Sequence, residues 1–311
     1  MTATTATPKS DLKRRGNRAR PGQSSPKLAY LPIIFLAFAI GVPLLIIVVY
    51  SFLEKPSQGT GVKWVFTTEN YKALFIQQKL DGTTALDTRY IKVLWTSFTY
   101  SLITTTVTLI LSVPVAMWIA TRDARRRTLL VALVTLPFWI SILIRTYGMR
   151  QIIADEGPIG KFLGLFNIDW SILYSPPATI LGLIYVFLPF MILPIYASAE
   201  RFDFRLAEAA YDLGAKKLTV VRKIILPSIR PGIISGVALV FIPALGSFLQ
   251  SDMLGGGKTN MVANVIANNF GQARNWPFGS ALAVLLIVLT LLFVLIIQGI
   301  SQRRGDKVEL V

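Results

Sequence analysis

The chain has 311 residues, 53% of them hydrophobic and 15% charged, with a mean hydropathy of +0.57. That is too apolar for a water-soluble domain and sets the chain in the membrane class. Its net charge of +16 comes with no Cys and no His, which excludes disulfides and thiolate ligands and argues against a metalloenzyme or a Ser–His hydrolase. The basic residues flank apolar runs and form no groove-binding motif, so nucleic acid is not an expected partner.

Residues 1–27 are mostly Thr, Ser, Pro, Gly and basic residues, and are expected to form a disordered tail, because they bury too little apolar surface to fold. The apolar run at 28–52 is longer than a signal-peptide h-region and no A-x-A site follows it, so a retained first membrane helix is expected. Five further segments are long enough to span a hydrocarbon core: 93–120, 128–148, 177–199, 231–250 and 280–300. Pro114 interrupts the second span and Pro137 the third; Pro189 and Pro194 lie in the fourth, Pro243 and Gly246 in the fifth. Such breaks either follow a transport pathway or are ordinary kinks whose freed carbonyls neighbours satisfy. The expected fold class is all-α, a polytopic membrane protein with six transmembrane helices over 28–300 and a short tail at 301–311.

Six helices put both termini on one side. The N-terminal tail, the loop 121–127, the loop 200–230 and the C-terminal tail hold seven, four, seven and three Lys and Arg, which is 21 of the chain's 32. The positive-inside rule therefore expects these segments, with both termini, in the cytoplasm. On the other side, residues 53–92 are expected to include an interfacial helix at 68–77, capped by Thr67 or Thr68. Residues 149–176 carry Gly157-Pro158 and a short helix at 159–166. Residues 251–279 carry Gly255-Gly256-Gly257, a short helix near 261–270, and Trp276-Pro277. These loops are the expected contact surface for whatever delivers substrate.

Groups able to carry chemistry are few. Gly255-Gly256-Gly257-Lys258-Thr259 fails the G-x4-G-K-[ST] spacing, because Asp252 stands where the first Gly is required. No Asp or Glu lies inside the six spans, which argues against an ion-coupled carrier. No Walker motif is present, so energy is expected from a separate polypeptide. Arg145, the one charged residue near a span interior, either lines the outer mouth of a pathway or snorkels to the interface. Trp139, Tyr147 and Tyr185 are candidates for an aromatic pathway lining or for interface anchors. Asp252, at the outer end of the fifth span, is a candidate first acidic contact for a cation. Neither a metal site nor a bound cofactor is expected.

The densest pattern runs over 208–227: Glu208-Ala209-Ala210, three residues, Gly214, nine residues, then Ile224, one residue and Leu226-Pro227. It reads as two short helices joined by a turn. The first, at 204–213, sets small Ala209 and Ala210 beside Leu206 and Leu213. Gly214 follows its last turn, where positive φ is needed. The second carries Leu218, Val221, Ile224 and Ile225 at helical spacing, with Lys216, Lys217, Arg222 and Lys223 turned to water, and Pro227 and Pro231 are expected to stop it. Composition alone would allow an amphipathic loop lying on lipid headgroups.

The full pattern E-A-A-x3-G-x9-I-x-L-P resembles the "EAA" loop of permease subunits of ATP-binding-cassette importers. The resemblance extends over 28–300 through 136–147, 185–196, Phe241-Ile242-Pro243-Ala244-Leu245-Gly246 and Asn275-Trp276-Pro277-Phe278-Gly279, which look like the first permease subunit of spermidine/putrescine importers. It implies a type I importer permease fold in a bacterial inner membrane and a coupling loop at 200–230, docked on an ABC ATPase dimer through Glu208, Ala209, Ala210, Gly214, Ile224, Leu226 and Pro227. It further implies a second homologous permease, an extracytoplasmic solute-binding protein, and ATP with Mg held by the ATPase alone; this chain would catalyse no covalent step. Permeases for opines, thiamine, ferric iron and sulfate share the architecture and stay open as alternatives, as do, from other classes, a stand-alone secondary carrier and a membrane scaffold. A polyamine suits aromatic faces, each cation–π contact being worth roughly 0.5–2 kcal/mol; Arg145 facing the pathway would suit an anion instead.

Overall fold

A computed structural model describes residues 26–57, 59–78, 84–166 and 171–302. The expected tails lie outside these residues, except that Pro26 and Lys27 open the first helix and Ser301 and Gln302 close the last. The chain divides into two units, residues 1–46 and 47–311. The described part of the first is most of helix α1 (Pro26–Ser51), largely apolar after Lys27 and uninterrupted by Pro32 and Pro43.

In the second unit, three helices pack against one another: α3 (Arg89–Ala120), α7 (Pro176–Ala199) and α11 (Arg230–Leu245). Small residues bring their backbones together, as packing between membrane helices requires. A Cβ on Gly232 of α11 would stand 2.3 Å from the Pro194 carbonyl oxygen of α7, and one on Gly236 would stand 2.7 Å from the Met191 sulfur. Helix α3 contributes a buried face of Ser97, Ser101, Thr104, Thr108 and Ser112. Two threonine hydroxyls turn to their own helix, Thr108 Oγ1 donating to the Thr104 carbonyl at 2.8 Å and Thr105 Oγ1 to that of Ser101 at 2.7 Å, whereas Ser97 Oγ accepts the Val262 N–H at 2.7 Å and the buried hydroxyls of Ser101, Thr104 and Ser112 have no partner among the described residues. Leu183, Val186, Met191, Ile195, Val240 and Ala244 fill the core between the helices.

Proline breaks fewer spans than expected. Helices α3 and α7 run without interruption through Pro114, Pro189 and Pro194, since each proline removes one donor and leaves the rest of the ladder intact. The expected single helix over 128–148 is instead broken. Helix α4 (Ala124–Thr135) and a 3₁₀ turn (Leu136–Trp139) meet α5 (Ile142–Ile153) and α6 (Pro158–Gly164) at 94°. Pro137 opens the 3₁₀ turn, and Ile140 becomes extended. The expected span at 231–250 also ends early: α11 stops at Leu245, and a separate α12 (Leu249–Gly255) follows. Among the described residues four helices are long and apolar enough to cross a membrane, and up to six if each bent pair counts as one. The architecture is all-α with few strands.

Two short antiparallel ladders stand where loop was expected. Strand β1 (Leu53–Glu54) pairs with β2 (Lys63–Phe66), and β3 (Ile76–Gln78) with β4 (Thr84–Leu86). The expected helix at 68–77 shrinks to α2 (Glu69–Lys72), because β3 takes its second half. Thr68 stands at its N-cap without a side-chain cap bond, while Thr67 Oγ1, one residue earlier, accepts the Glu69 N–H at 3.1 Å. Asn70 anchors the helix: its side-chain amide donates to the Ser51 carbonyl at the end of α1 at 3.0 Å and to the Leu53 carbonyl of β1 at 2.8 Å. Helix α13 (Val262–Phe270) falls where a short helix was expected. Helix α14 (Trp276–Gln302) begins earlier than expected, since Trp276-Pro277 forms its first turn rather than loop.

Candidate coupling loop and outer cavity

The 208–227 pattern folds locally much as its residues dictate. Helix α8 (Arg205–Asp212) starts on Asp203, whose Oδ1 accepts the Arg205 N–H at 3.1 Å. It ends in a Schellman turn: the Gly214 N–H donates to Tyr211 at 2.8 Å and the Ala215 N–H to Ala210 at 3.0 Å, with Gly214 at φ +80°. The chain then enters α9 (Lys217–Val220), widens into a π turn over Val221–Ile225, and closes in α10 (Leu226–Ser228). Pro227 therefore does not stop this helix, contrary to expectation. In the π turn the Leu226 N–H donates five residues back to Val221, and the wider turn relieves the clash that a proline ring makes with the carbonyl four residues before it. The helix ends at Ile229, and α11 leaves at 70° with Pro231 in its first turn.

The loop has two faces. Ala207, Val220, Ile225 and Ile229 are buried in the core shared with α3, α7 and α11, and Ala210, Ala215, Ile224 and Leu226 pack against it. Glu208, Ala209, Gly214 and Pro227 face outward. So the pattern divides into anchors, Ala210, Ile224 and Leu226, and presented groups. Leu218, expected on the apolar side with Val221, is 65% exposed, and Leu213 is 89% exposed. With Leu206 and Tyr211 they make an apolar surface beside Lys216, Lys217, Arg222 and Lys223, all exposed. Near the loop, Arg127 at the start of α4 pairs with Glu200 at the end of α7 at 3.3 Å.

The second group of predicted residues lies around α5 and α12. Trp139 is fully displayed, and Tyr147 and Tyr185 are exposed. No ring contact joins these three among the described residues. Tyr147 Oη accepts from Gln151 Nε2 at 3.0 Å. Arg145 is half-buried, and its Nε and Nη1 are shielded with no hydrogen-bond partner.

Helix α12 is held by one face and free on the other. Its buried face carries Gln250, Ser251, Leu254 and Gly255. Gln250 Nε2 reaches Thr146 Oγ1 of α5 at 3.4 Å, and Ser251 Oγ donates to the Thr259 carbonyl. Thr259 Oγ1 bonds Thr179 Oγ1 of α7 at 2.9 Å. Gly182 lets α7 approach this face, since a Cβ there would stand 2.2 Å from Leu254. The free face carries Asp252, which opens into a cavity of about 400 Å³ between α12 and α13. Phe248, Asn260, Asn264, Asn268 and Gln272 line it with Asp252. Asn264 fixes the two helices together, donating to the Phe248 carbonyl at 3.1 Å and accepting from the Met261 N–H at 3.1 Å. Asn264 and Asn268 stand four apart on α13, the spacing of one helix face, and Gln272 follows just past its end. That signal was readable in the sequence and went unused above, as did the Gly232-x-x-x-Gly236 seam.

Residues 78–306 match the family described as binding-protein-dependent transport system inner membrane component. The chain is 39% identical over 279 residues to the spermidine/putrescine transport system permease protein PotB of Escherichia coli (strain K12), a match covering 89% of this chain and 97% of that protein. It is likewise 39% identical over 283 residues to PotB of Haemophilus influenzae, covering 89% and 95%. Among solved structures it shares its fold with a chain of a bacterial ABC transporter involved in the import of the acidic polysaccharide alginate, with a TM-score of 0.68 at 19% identity over 90% of this chain and 96% of that one. By the extent and identity of these matches, the chain belongs to the family of inner membrane components of binding-protein-dependent transport systems.

Proposed function

We propose that this permease forms half of the pathway of an ATP-driven importer of polyamines, spermidine and putrescine. The carrying observation is the 39% identity with a spermidine/putrescine permease over 97% of that protein's length. In this reading the basic asymmetry sets both termini and the 200–230 loop in the cytoplasm. The outward side of α8 and α9 docks on one subunit of an ABC ATPase dimer. A second homologous permease completes the pathway, and a solute-binding protein loads it from outside. Closure of the ATPases on ATP and Mg, both held by those partners, pushes the loop. Its buried anchors Ala207, Val220, Ile225 and Ile229 carry that push into α7 and α11, switching access from one side to the other. This chain makes and breaks no covalent bond.

Two features suit a cation cargo: no carboxylate lies within the long apolar spans, so none holds a polyamine too tightly, and Asp252 stands free beside them. Trp139, Tyr147 and Tyr185 are proposed as aromatic contacts along the way. The shielded guanidinium of Arg145 favours a second reading, with an anion such as sulfate as cargo. Uptake by the complete reconstituted complex separates the two. ATP-dependent uptake of labelled spermidine or putrescine, with none of sulfate, ferric iron or thiamine, is the expected result. Uptake of one of the latter with neither polyamine would remove the polyamine assignment.

A further inference from the structure

We infer that the turn between α3 and α4 binds the phosphodiester headgroup of an anionic phospholipid, held by Arg122 and Arg125, with the acyl chains laid along the two helices. The inference goes beyond the importer reading and does not depend on the cargo.

The turn carries more positive charge than it neutralises. Residues 121–127 hold four arginines and one carboxylate, Asp123. Asp123 faces Arg126 at 3.5 Å and accepts its backbone N–H as the cap of α4. Arg127 pairs with Glu200 of α7 at 3.3 Å. Four guanidinium groups against two carboxylates leave two. These are Arg122 and Arg125, which have no ion pair among the described residues. Two uncompensated cations at one turn favour an anion from outside the chain.

Arg122 is also held in place for such a partner. Its guanidinium carbon lies 4.7 Å from the centre of the Trp118 ring, a cation–π contact that seats the group and leaves its charge unpaired. The side chain is half-buried, and its Nε is shielded with no hydrogen-bond partner among the described residues. A guanidinium that is short of acceptors and seated on an aromatic ring suits the oxygens of a phosphate.

The surface beside the turn separates a lipid from a free anion or a soluble protein. Leu111, Val115 and Trp118 follow at steps of four and three on α3, and the same line reaches Arg122 four residues later. All three are exposed. Arg125, Leu129 and Leu133 follow at steps of four on α4, and both leucines are exposed. Each helix thus carries a bare apolar stripe that ends in an unpaired arginine, and both stripes end at the same turn. Helix α3 is a candidate span and α4 the first arm of a bent one. The stripes therefore meet acyl chains while the arginines and Trp118 stand at the headgroup level. An ATPase in water could reach the arginines but not the stripes. A zwitterionic lipid brings its own cation to the turn, whereas an anionic one supplies the missing charge.

The test uses the complete complex, with ATPase, second permease and binding protein, purified in mild detergent. Native mass spectrometry follows the retention of added phosphatidylglycerol, against phosphatidylcholine with the same chains. Wild type should prefer phosphatidylglycerol. Arg122→Gln and Arg125→Gln should each weaken that binding about fivefold, and the double variant should lose one retained phosphatidylglycerol per copy of this chain. Trp118→Leu, which keeps the apolar stripe and removes the seat of Arg122, should weaken it about two- to threefold. Lys92→Gln, at an exposed cation in the first turn of α3, should change nothing. Inorganic phosphate, which has no chains, should not displace the lipid. A double variant that retains phosphatidylglycerol as wild type does would overturn the site. So would equal retention of the two lipids by wild type, or displacement by inorganic phosphate, which would mark a general anion site. Loss of the ATPase from the double variant with its lipid count unchanged would assign the arginines to a protein partner and equally end the inference.

Discussion

The N–H of Ala215 donates to the carbonyl of Ala210 at 3.0 Å, and Gly214 between them takes φ +80° to let it happen. A Cβ at Gly214 would meet nothing within 4 Å. The requirement is therefore conformational and not steric. Gly214→Val should cost about 1–2 kcal/mol locally and misaim α9, so that uptake is lost while the protein still inserts. Gly214→Asn, which tolerates positive φ, should keep most uptake. Normal transport and normal ATPase co-purification for Gly214→Val would remove the docking role of this loop.

At the α7–α11 seam the requirement is space. Gly232→Ala would press on the Pro194 backbone oxygen, which cannot step aside, whereas Gly236→Ala meets the flexible end of Met191. We expect Gly232→Ala to lower stability in detergent by about 1–3 kcal/mol and Gly236→Ala by less. Gly299→Ala, with nothing within 4 Å, serves as the control. Thermal unfolding of the purified protein ranks the three, and an equal effect at 232 and 299 would refute the close seam.

Orientation can be read with single cysteines, because the chain has none of its own. Lys216 and Lys258 are both exposed, one between α8 and α9 and one after α12. With the loop in the cytoplasm, Lys216→Cys should resist a membrane-impermeant thiol reagent in intact cells and Lys258→Cys should react. The reverse pattern would invert the topology and take the coupling assignment with it.

Asp87 provides a pH test. It is buried at the start of α3, and the hydrogen bond from the Arg89 guanidinium holds its carboxyl below the usual carboxylate range. A lowered folded value means that the ionised pair stabilises the fold above about pH 4, the ordinary Asp value, and that this contribution fades as pH falls through the lowered one. Asp87→Asn should therefore unfold at a lower temperature than wild type at neutral pH, and the gap should close below about pH 3. A gap that stays constant with pH would show that the ionised pair is not its source.

What was legible in the sequence follows the range of the interactions. Helix α8 and its Gly214 turn depend on residues within one or two turns, and both stand within a residue of expectation. The two ladders and the contacts between helices depend on partners elsewhere. The Ser97 hydroxyl, for example, accepts the Val262 N–H at 2.7 Å across 165 residues, a contact that no local pattern announces. Apolar length likewise located the stretch 128–148 but not its 94° bend, because an apolar run carries no signal of direction. Asp252 was noticed for its charge. Its cavity was not, since the amides that line it come from α13 and the turns on either side of it.

The outward apolar side of α8 and α9 has a consequence for the cell. Leu206, Leu213 and Leu218 lie bare among four cations, on a face that neither its own bundle nor a lipid bilayer covers when the loop stands in the cytosol. A copy synthesised in excess of its ATPase would display this greasy, cationic knob to every protease and holdase nearby. The loop then doubles as a mark of incompleteness: pulse-chase half-lives should be short for the permease expressed alone and lengthen when the ATPase is supplied, so that degradation keeps subunit numbers matched without any dedicated sensor.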